Sequence, residues 1–365
     1  MENEKNINIQ LAAIEKVVER SIPEYTELET RGKGYITYGT DNQYPEYLWG
    51  LYNDVTTLKT IIKGTADFVA GDDAICNVPD FSKEINKKGD TLFDLIGWIA
   101  KDYLIYGGYA IQVVRNKAGN IGELYYIDFR YLRTSKKRDL FWYSEEYGKK
   151  YARTNKTVVY PKFVPEAKDI ATSIVYVANE VSRTYPIPRY SGALKACEIE
   201  RGIDEFHLSS LENGFYGSYL FNMNNGIPSD EVKAEIEETM TEKFAGASNA
   251  GRILINFANS KDNAATVQKL EIQDFGEKYD AAYKRSREQI YCAFQAIPAL
   301  FGLMTESKGF AEEEFTQAFK LYNRTVVRPI QRNISNTLDK IFGMEGSITI
   351  TPYNTDDKTK ENNVE

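Results

Sequence analysis

The sequence has one histidine in 365 residues, His207. That scarcity excludes a histidine-rich metal site, and any Ser-His-Asp arrangement would have to use this single side chain. With Phe206 and Leu211 near it at helical spacing, His207 reads as structural. Cysteine is nearly as scarce. Cys76, Cys197 and Cys292 are far apart, odd in number and form no Cys-x-x-Cys pair. They exclude a disulfide framework and a zinc site, and read as small buried hydrophobes in a reducing compartment. No apolar run approaches the ~20 residues needed to cross a bilayer. The opening residues Met1-Glu2-Asn3-Glu4-Lys5 are charged and polar and hold no apolar signal-peptide core, so synthesis in the cytosol is expected. Positive charge is in deficit: 45 Lys and Arg against 53 Asp and Glu leave a net charge of −8. Such a balance argues against strong non-specific DNA binding, which rests on many cationic phosphate contacts, but not against a protein that encloses nucleic acid without gripping it. There is no repeat of fixed period and no low-complexity tract.

Carboxylates are dense only at Asp72-Asp73 and at Glu312-Glu313-Glu314. A metal-dependent nucleic-acid hydrolase would need such clusters. Both have structural explanations: the first pair follows a helix-ending Gly71, and the second occupies a helix first turn, where the macrodipole favours negative charge. No catalytic residue, metal or cofactor is expected. The glycine-punctuated segment Arg31 to Gly39 lacks the Gly-x-x-x-x-Gly-Lys-Ser/Thr spacing of a phosphate loop.

What the chain does have is a strong alternation of periods. Helical spacing marks Ile7–Arg20, a helix entered through Tyr44-Pro45, Thr57–Ala70 and Thr91–Tyr106, the last two stopped by glycine. The pattern then turns to strands at Tyr109–Arg115, Glu123–Ile127, Leu140–Tyr143, Thr157–Tyr160 and Ile174–Ala178. Their many tyrosines fit cross-strand pairing on a half-buried sheet. A long helix is expected from Tyr190 to Asn213, with Leu194, Ile199, Ile203, Phe206 and Leu211 as its apolar set. A small unit follows: a strand over Ser218–Asn222, a helix opened by Ser229, and strands over Ile253–Phe257 and Val267–Leu270. Another long helix runs from Tyr279 to Gln295.

The segment after it is the most informative. Pro298 biases Ile297 out of the helical region and Gly302 is free to take φ > 0. Leu303 to Phe310 then makes a loop with an apolar start and a polar tip. From Ala311, Phe315, Phe319, Tyr322, Val326, Ile330, Ile334, Leu338 and Ile341 form one apolar stripe. Lys320, Arg324, Arg328 and Arg332 are four apart and form a cationic ridge. Pro329 should kink this helix. Ser347–Thr351 reads as one strand, and the polar end from Thr355 is expected to fray.

The motifs Tyr-Pro-Glu-Tyr-Leu at 44–48, Tyr-Gly-Gly-Tyr-Ala at 106–110, Pro-Arg-Tyr-Ser-Gly at 188–192, Asn-Ala-Gly-Arg-Ile-Leu at 249–254, Ala-Ile-Pro-Ala-Leu-Phe-Gly-Leu at 296–303 and Tyr-Asn-Arg-Thr-Val-Val-Arg-Pro at 322–329 occur in one order. Their succession over about 300 residues resembles the portal, or head-to-tail connector, proteins of tailed bacteriophages. The resemblance implies an α+β chain with a wing at 1–188, stem helices at 189–213 and 274–298, and a clip at 214–273. It further implies a tunnel loop at 299–310 and a kinked tunnel helix at 311–342, with 343–365 as a short strand and tail where many relatives carry a helical crown. It also implies a dodecameric ring of this chain at one capsid vertex of the virion, assembled in the host bacterial cytoplasm. The ring would pass double-stranded DNA inward at packaging and outward at ejection. Implied partners are the terminase large subunit, neck or adaptor proteins, and major capsid and scaffold proteins; no membrane is involved.

On that resemblance Met304, Thr305, Glu306, Ser307 and Lys308 are the candidate DNA-facing residues, with Pro298, Gly302 and Pro329 as hinges. The ridge Lys320, Arg324, Arg328 and Arg332 is open to three readings: channel lining, an intersubunit row, or a solvated face. The apolar Leu300, Phe301, Leu303 and Met304 are equally open to being core. Other ring-forming neck proteins are the alternative class, and the order of stem, clip and stem argues against them.

Overall fold

The structure is a computed structural model and describes residues 23–29, 32–147, 157–180, 182–212, 219–223, 228–236, 253–257, 275–302 and 312–353. The helix expected over Ile7–Arg20 and the strand expected over Val267–Leu270 lie outside these residues. The chain divides into two compact units, one of Met1–Ser21 and Gly202–Tyr283, the other of Ile22–Arg201 and Lys284–Glu365.

The larger unit is built on helices α1 (Tyr44–Asp54), α2 (Thr56–Ala70) and α3 (Leu92–Tyr106). Val55 is extended between α1 and α2, at φ −98° and ψ 107°. α3 starts sharply because Thr91 and Asp94 form a reciprocal capping box, a motif that contributes about 1 kcal/mol. It stops at Gly107, left-handed at φ 82°. A side chain there would run into the Ile187 carbonyl, 2.4 Å from an added Cβ.

Strand β1 (Asp73–Cys76) follows α2, and β2 (Gly108–Arg115) follows α3. β2 is the centre of an antiparallel sheet, flanked by β3 (Ile121–Tyr126) and β7 (Thr172–Ala178). A second antiparallel sheet orders β4 (Leu132–Thr134), β5 (Leu140–Tyr143) and β6 (Val158–Pro161). One apolar core runs through the unit, from Ile36 and Tyr38 through Leu58, Ile99 and Ile111 to Ile334 and Leu338. Residues 23–29 are strapped to it: the Glu27 carboxylate accepts the amides of Thr184 and Tyr185 at 2.9 and 3.0 Å, and the Tyr25 hydroxyl.

Strands β1 and β4 were not anticipated. β1 forms because β10 (Ile348–Thr351) returns to pair with it antiparallel, Asp73 opposite Thr351 and Cys76 opposite Ile348. A partner so distant leaves no local signal.

Long helix α4 spans Leu194–Glu212 after a 3-10 turn at Ser191–Ala193, so it starts later than expected. Its apolar set also differs. Ala196, Cys197 and Glu200 are buried, whereas Ile199 and Phe206 are each 47% exposed. Ile203 is buried as expected; the rest of the inner face was missed because it consists of small residues and one carboxylate. Cys292 is exposed too, contrary to expectation.

In the smaller unit, β8 (Tyr219–Met223) and β9 (Ile253–Phe257) pair in parallel, Tyr219 opposite Ile253 and Met223 opposite Phe257. A parallel pair needs a crossover, and a helix over 230–236 lies between the two strands in sequence. Its Lys233 and Asp230 pair at 2.9 Å. His207 is exposed and lies edge-on to the Tyr279 ring, centroids 6.1 Å apart.

Candidate functional site

Helix α5 (Phe275–Phe294) ends where Gln295 takes φ +53°. Ile297 is extended, as its place before proline requires. Pro298 opens a 3-10 turn, Pro298–Phe301, which closes on Gly302 in the left-handed region at φ 78°. Pro298 and Gly302 therefore bracket one tight turn. Within it Leu300 and Phe301 are buried, so for these two the core reading holds.

Phe301 is seated on α2. Its ring lies 5.6 Å from that of Tyr322, 6.1 Å from Phe68 and 6.3 Å from Tyr291, mostly edge-to-face. Gly64 makes the seat, since a Cβ there would stand 3.0 Å from the Phe301 ring. Tyr322 closes the cluster from the other side, its hydroxyl 2.7 Å from that of Thr65. Burial pushes the Tyr322 phenol up to about 12, against the smaller opposing effects of Thr65 and Arg189. Asn53, Lys59, Lys63, Asp67, Leu300 and Phe301 line a groove of about 470 Å³ beside this seat.

The turn leads to Met304, Thr305, Glu306, Ser307 and Lys308, which lie outside the described residues. The chain resumes in α6 (Glu312–Tyr322), passes through a π-helical turn over Asn323–Val327, and continues as α7 (Arg328–Phe342). The disruption expected at Pro329 takes the form of this π turn. The Arg328 amide reaches back five residues to the Asn323 carbonyl. Widening the helix just before Pro329 relieves the crowding that a proline ring imposes on the preceding turn.

The π turn also sets the faces of the helix. A step of four residues in an α-helix leans by about 40°, so three steps from Lys320 to Arg332 would fan by ~120°. One residue absorbed in the π turn takes back roughly 100° of that. The buried side accordingly stays continuous through Phe319, Tyr322, Val326, Val327, Ile330, Ile334, Leu338 and Ile341. On the other side Lys320, Arg324, Arg328 and Arg332 are all exposed; Lys340 is exposed too, but lies about 80° round the axis from Arg332. α7 is fastened by Gln331 Nε2 donating to the Val69 carbonyl at 3.0 Å, and by the Tyr109 hydroxyl, 3.0 Å from both Asn333 and Thr337.

Of the other candidates, the Asp73 carboxylate accepts the amide of Ala74 at 2.7 Å, and the Asp72 amide donates to the Thr351 carbonyl. Among the described residues no group of three or more His, Cys, Asp or Glu is placed to hold a metal ion.

The family model for phage portal protein matches residues 83–360. The chain belongs to the phage portal protein family. A curated portal-like relative is "Phage-like element PBSX protein XkdE" of Bacillus subtilis (strain 168), 23% identical over 68% of this chain. The match takes in 58% of that relative's length. The fold is similar to a chain in the "Virion of native gene transfer agent (GTA) particle", with TM-score 0.54, 15% identity, and 84% and 83% of the two chains covered. It is similar also to a chain in the "Neck of native GTA particle computed with C12 symmetry", with TM-score 0.52, 17% identity and 84% of each chain covered. These likenesses establish a shared mixed helix-and-strand fold. No helix among the described residues is long and apolar enough to cross a membrane.

Proposed function

We propose that this chain is the subunit of a closed ring at one capsid vertex, through which double-stranded DNA enters at packaging and leaves at ejection. The observation that carries the reading is the portal-family match, which spans residues 83–360. The GTA neck structure computed with C12 symmetry supports a twelvefold ring, and the GTA virion supports a place in the particle. A heterologous contact repeated around an axis closes such a ring without a twofold interface. The wing is assigned to 1–188, the stems to 189–213 and 274–298, the clip to 214–273, and the tunnel loop and helix to 299–310 and 311–342. The clip would dock the terminase large subunit and later the neck or adaptor proteins, while the outer surface meets capsid and scaffold proteins. The ring acts by positioning and passage, not by bond-breaking.

The turn from Pro298 to Gly302 supports a role for the loop that follows. Phe301, locked among Phe68, Tyr291 and Tyr322, gives Met304, Thr305, Glu306, Ser307 and Lys308 a fixed base from which to reach the lumen. Pro298, Gly302 and Pro329 are the positions at which loop and helix would re-aim. Negative-stain images of the purified protein should show rings with a central channel. Removal of residues 303–310 should leave rings intact and impair packaging or retention of DNA; unchanged packaging would remove this role from the loop.

A further inference from the structure

Between Phe315 and Leu338 the chain has four cations and no carboxylate, in a protein of net charge −8. Asp339, the one acid before Phe342, is turned away. Although its partial burial opposes ionisation, the hydroxyl and amide of Ser347 and the amide of Gly346 hold its carboxyl below the usual range. The exposed side from Gln317 to Lys340 is therefore of one sign. Elsewhere Lys87, Arg130, Lys136, Arg201 and Lys233 each find a carboxylate. Lys320, Arg324, Arg328, Arg332 and Lys340 make no ion pair among the described residues.

We infer that the four-cation row Lys320, Arg324, Arg328 and Arg332 is a tracking surface for the phosphate backbone of double-stranded DNA, and that the π turn at Asn323–Val327 exists to keep it straight. The inference rests on the conduit reading above and names the face of the tunnel helix that meets the cargo. From Lys320 to Arg332 the row is ~18 Å long at 1.5 Å per residue, the length of about five base pairs at ~3.4 Å each. Three of the four are guanidinium groups, which match phosphate oxygens in pairs. Contacts of this kind are independent of sequence and let a protein slide along the duplex, which suits a moving cargo.

A second copy of this chain is the competing occupant, and composition disfavours it. The centres of protein interfaces are depleted in charge and enriched in aromatic residues. This face offers four charges and one large exposed hydrophobe, Leu321, at 58%. A matching acidic row is also wanting among the described residues. Among the described residues the only exposed helical carboxylates spaced four apart are Glu231 and Glu235.

The test is binding of a 30-base-pair duplex to the full chain across a salt series, with particle mass measured on the same samples. The fourfold variant Lys320→Gln, Arg324→Gln, Arg328→Gln, Arg332→Gln is expected to form the wild-type particle. Its salt-dependence slope should be shallower by about 3 or more, since each phosphate contact contributes about 0.9. Arg→Lys at 324, 328 and 332 should preserve the slope. If the fourfold variant does not fold, Arg328→Gln alone should lower the slope by about 1. An unchanged slope overturns the inference. A variant that loses the particle while its residual DNA slope matches wild type also overturns it, by assigning the row to subunit contact. A wild-type chain that forms no ring counts against the conduit reading alone, because the slope comparison still reads the row.

Discussion

The Glu200 carboxylate accepts the backbone amide of Thr57 at 3.1 Å, across 143 residues of sequence. α2 begins without a side-chain cap of its own, and α4 supplies one from a fully buried position. A carboxyl oxygen at a helix N-terminus satisfies an otherwise orphaned donor. α2 in turn carries the seat of Phe301. α4 is thereby joined to the turn Pro298–Phe301 through one helix.

Glu200→Ala should lower stability by about 1–3 kcal/mol, because it strands the Thr57 amide and opens a cavity. Glu200→Gln, which keeps an accepting oxygen, should recover part of that loss. Thermal unfolding of both variants is the check, and equal losses would mean that packing, not capping, holds the joint.

Asp102 gives the fold a pH dependence. It is 1% exposed, and burial, reinforced by the nearby Asp128, pushes its carboxyl up to about 8. The Tyr126 hydroxyl donates to it at 3.0 Å and the Phe129 amide at 3.3 Å without offsetting that burial. A carboxyl whose folded value lies above its unfolded one contributes stability that is full below about pH 4 and is lost as pH rises through about 8. Asp102→Asn should flatten this part of the stability profile. A profile unchanged by the substitution would place the dependence elsewhere.

The pairing of β1 with β10 admits no side chain at Gly71, where φ is 75° and an added Cβ would stand 2.1 Å from the Thr351 carbonyl oxygen. Gly71→Ala should destabilise the larger unit by about 2 kcal/mol or more, through strain at a positive φ and displacement of β10. Hydrogen exchange should show the loss of protection concentrated in 73–76 and 348–351.

The link between the π turn and Pro329 is open to a double-mutant cycle. Deleting Thr325, an exposed residue of the turn, should restore an α-helical register and leave Pro329 crowding the turn before it, at a cost of about 3 kcal/mol. Adding Pro329→Ala should relieve most of that cost, whereas Pro329→Ala in the intact chain should change stability by less than about 1 kcal/mol. Additive losses would show that the π turn has another cause.

Where structure depends on neighbours in sequence, it was legible. Ile330, Ile334, Leu338 and Ile341 face the core as their spacing required, and Gly302 takes the left-handed turn that follows Pro298. The exposure of Lys320, Arg324, Arg328 and Arg332 was legible as the complement of that stripe, whereas their alignment depends on the π turn. Features that depend on distant partners were not: β1 needs β10, Glu200 needs Thr57, and Gly64 matters only because Phe301 arrives there. The π turn was missed because periodicity assumes a regular helix, although two adjacent valines, Val326 and Val327, are both buried and mark the extra residue. The inward face of α4 misled because Ala196, Cys197 and Glu200 carry little hydrophobic signal while Ile199 and Phe206 are bulky and exposed.

The mass of the assembled particle, read by native mass spectrometry of the purified full chain, tests the central claim most directly. With a 41.6 kDa subunit, a twelvefold ring gives one species near ~500 kDa, with no ladder of open intermediates. A chain that stays at the subunit mass across concentration, even with capsid protein present, would contradict the ring.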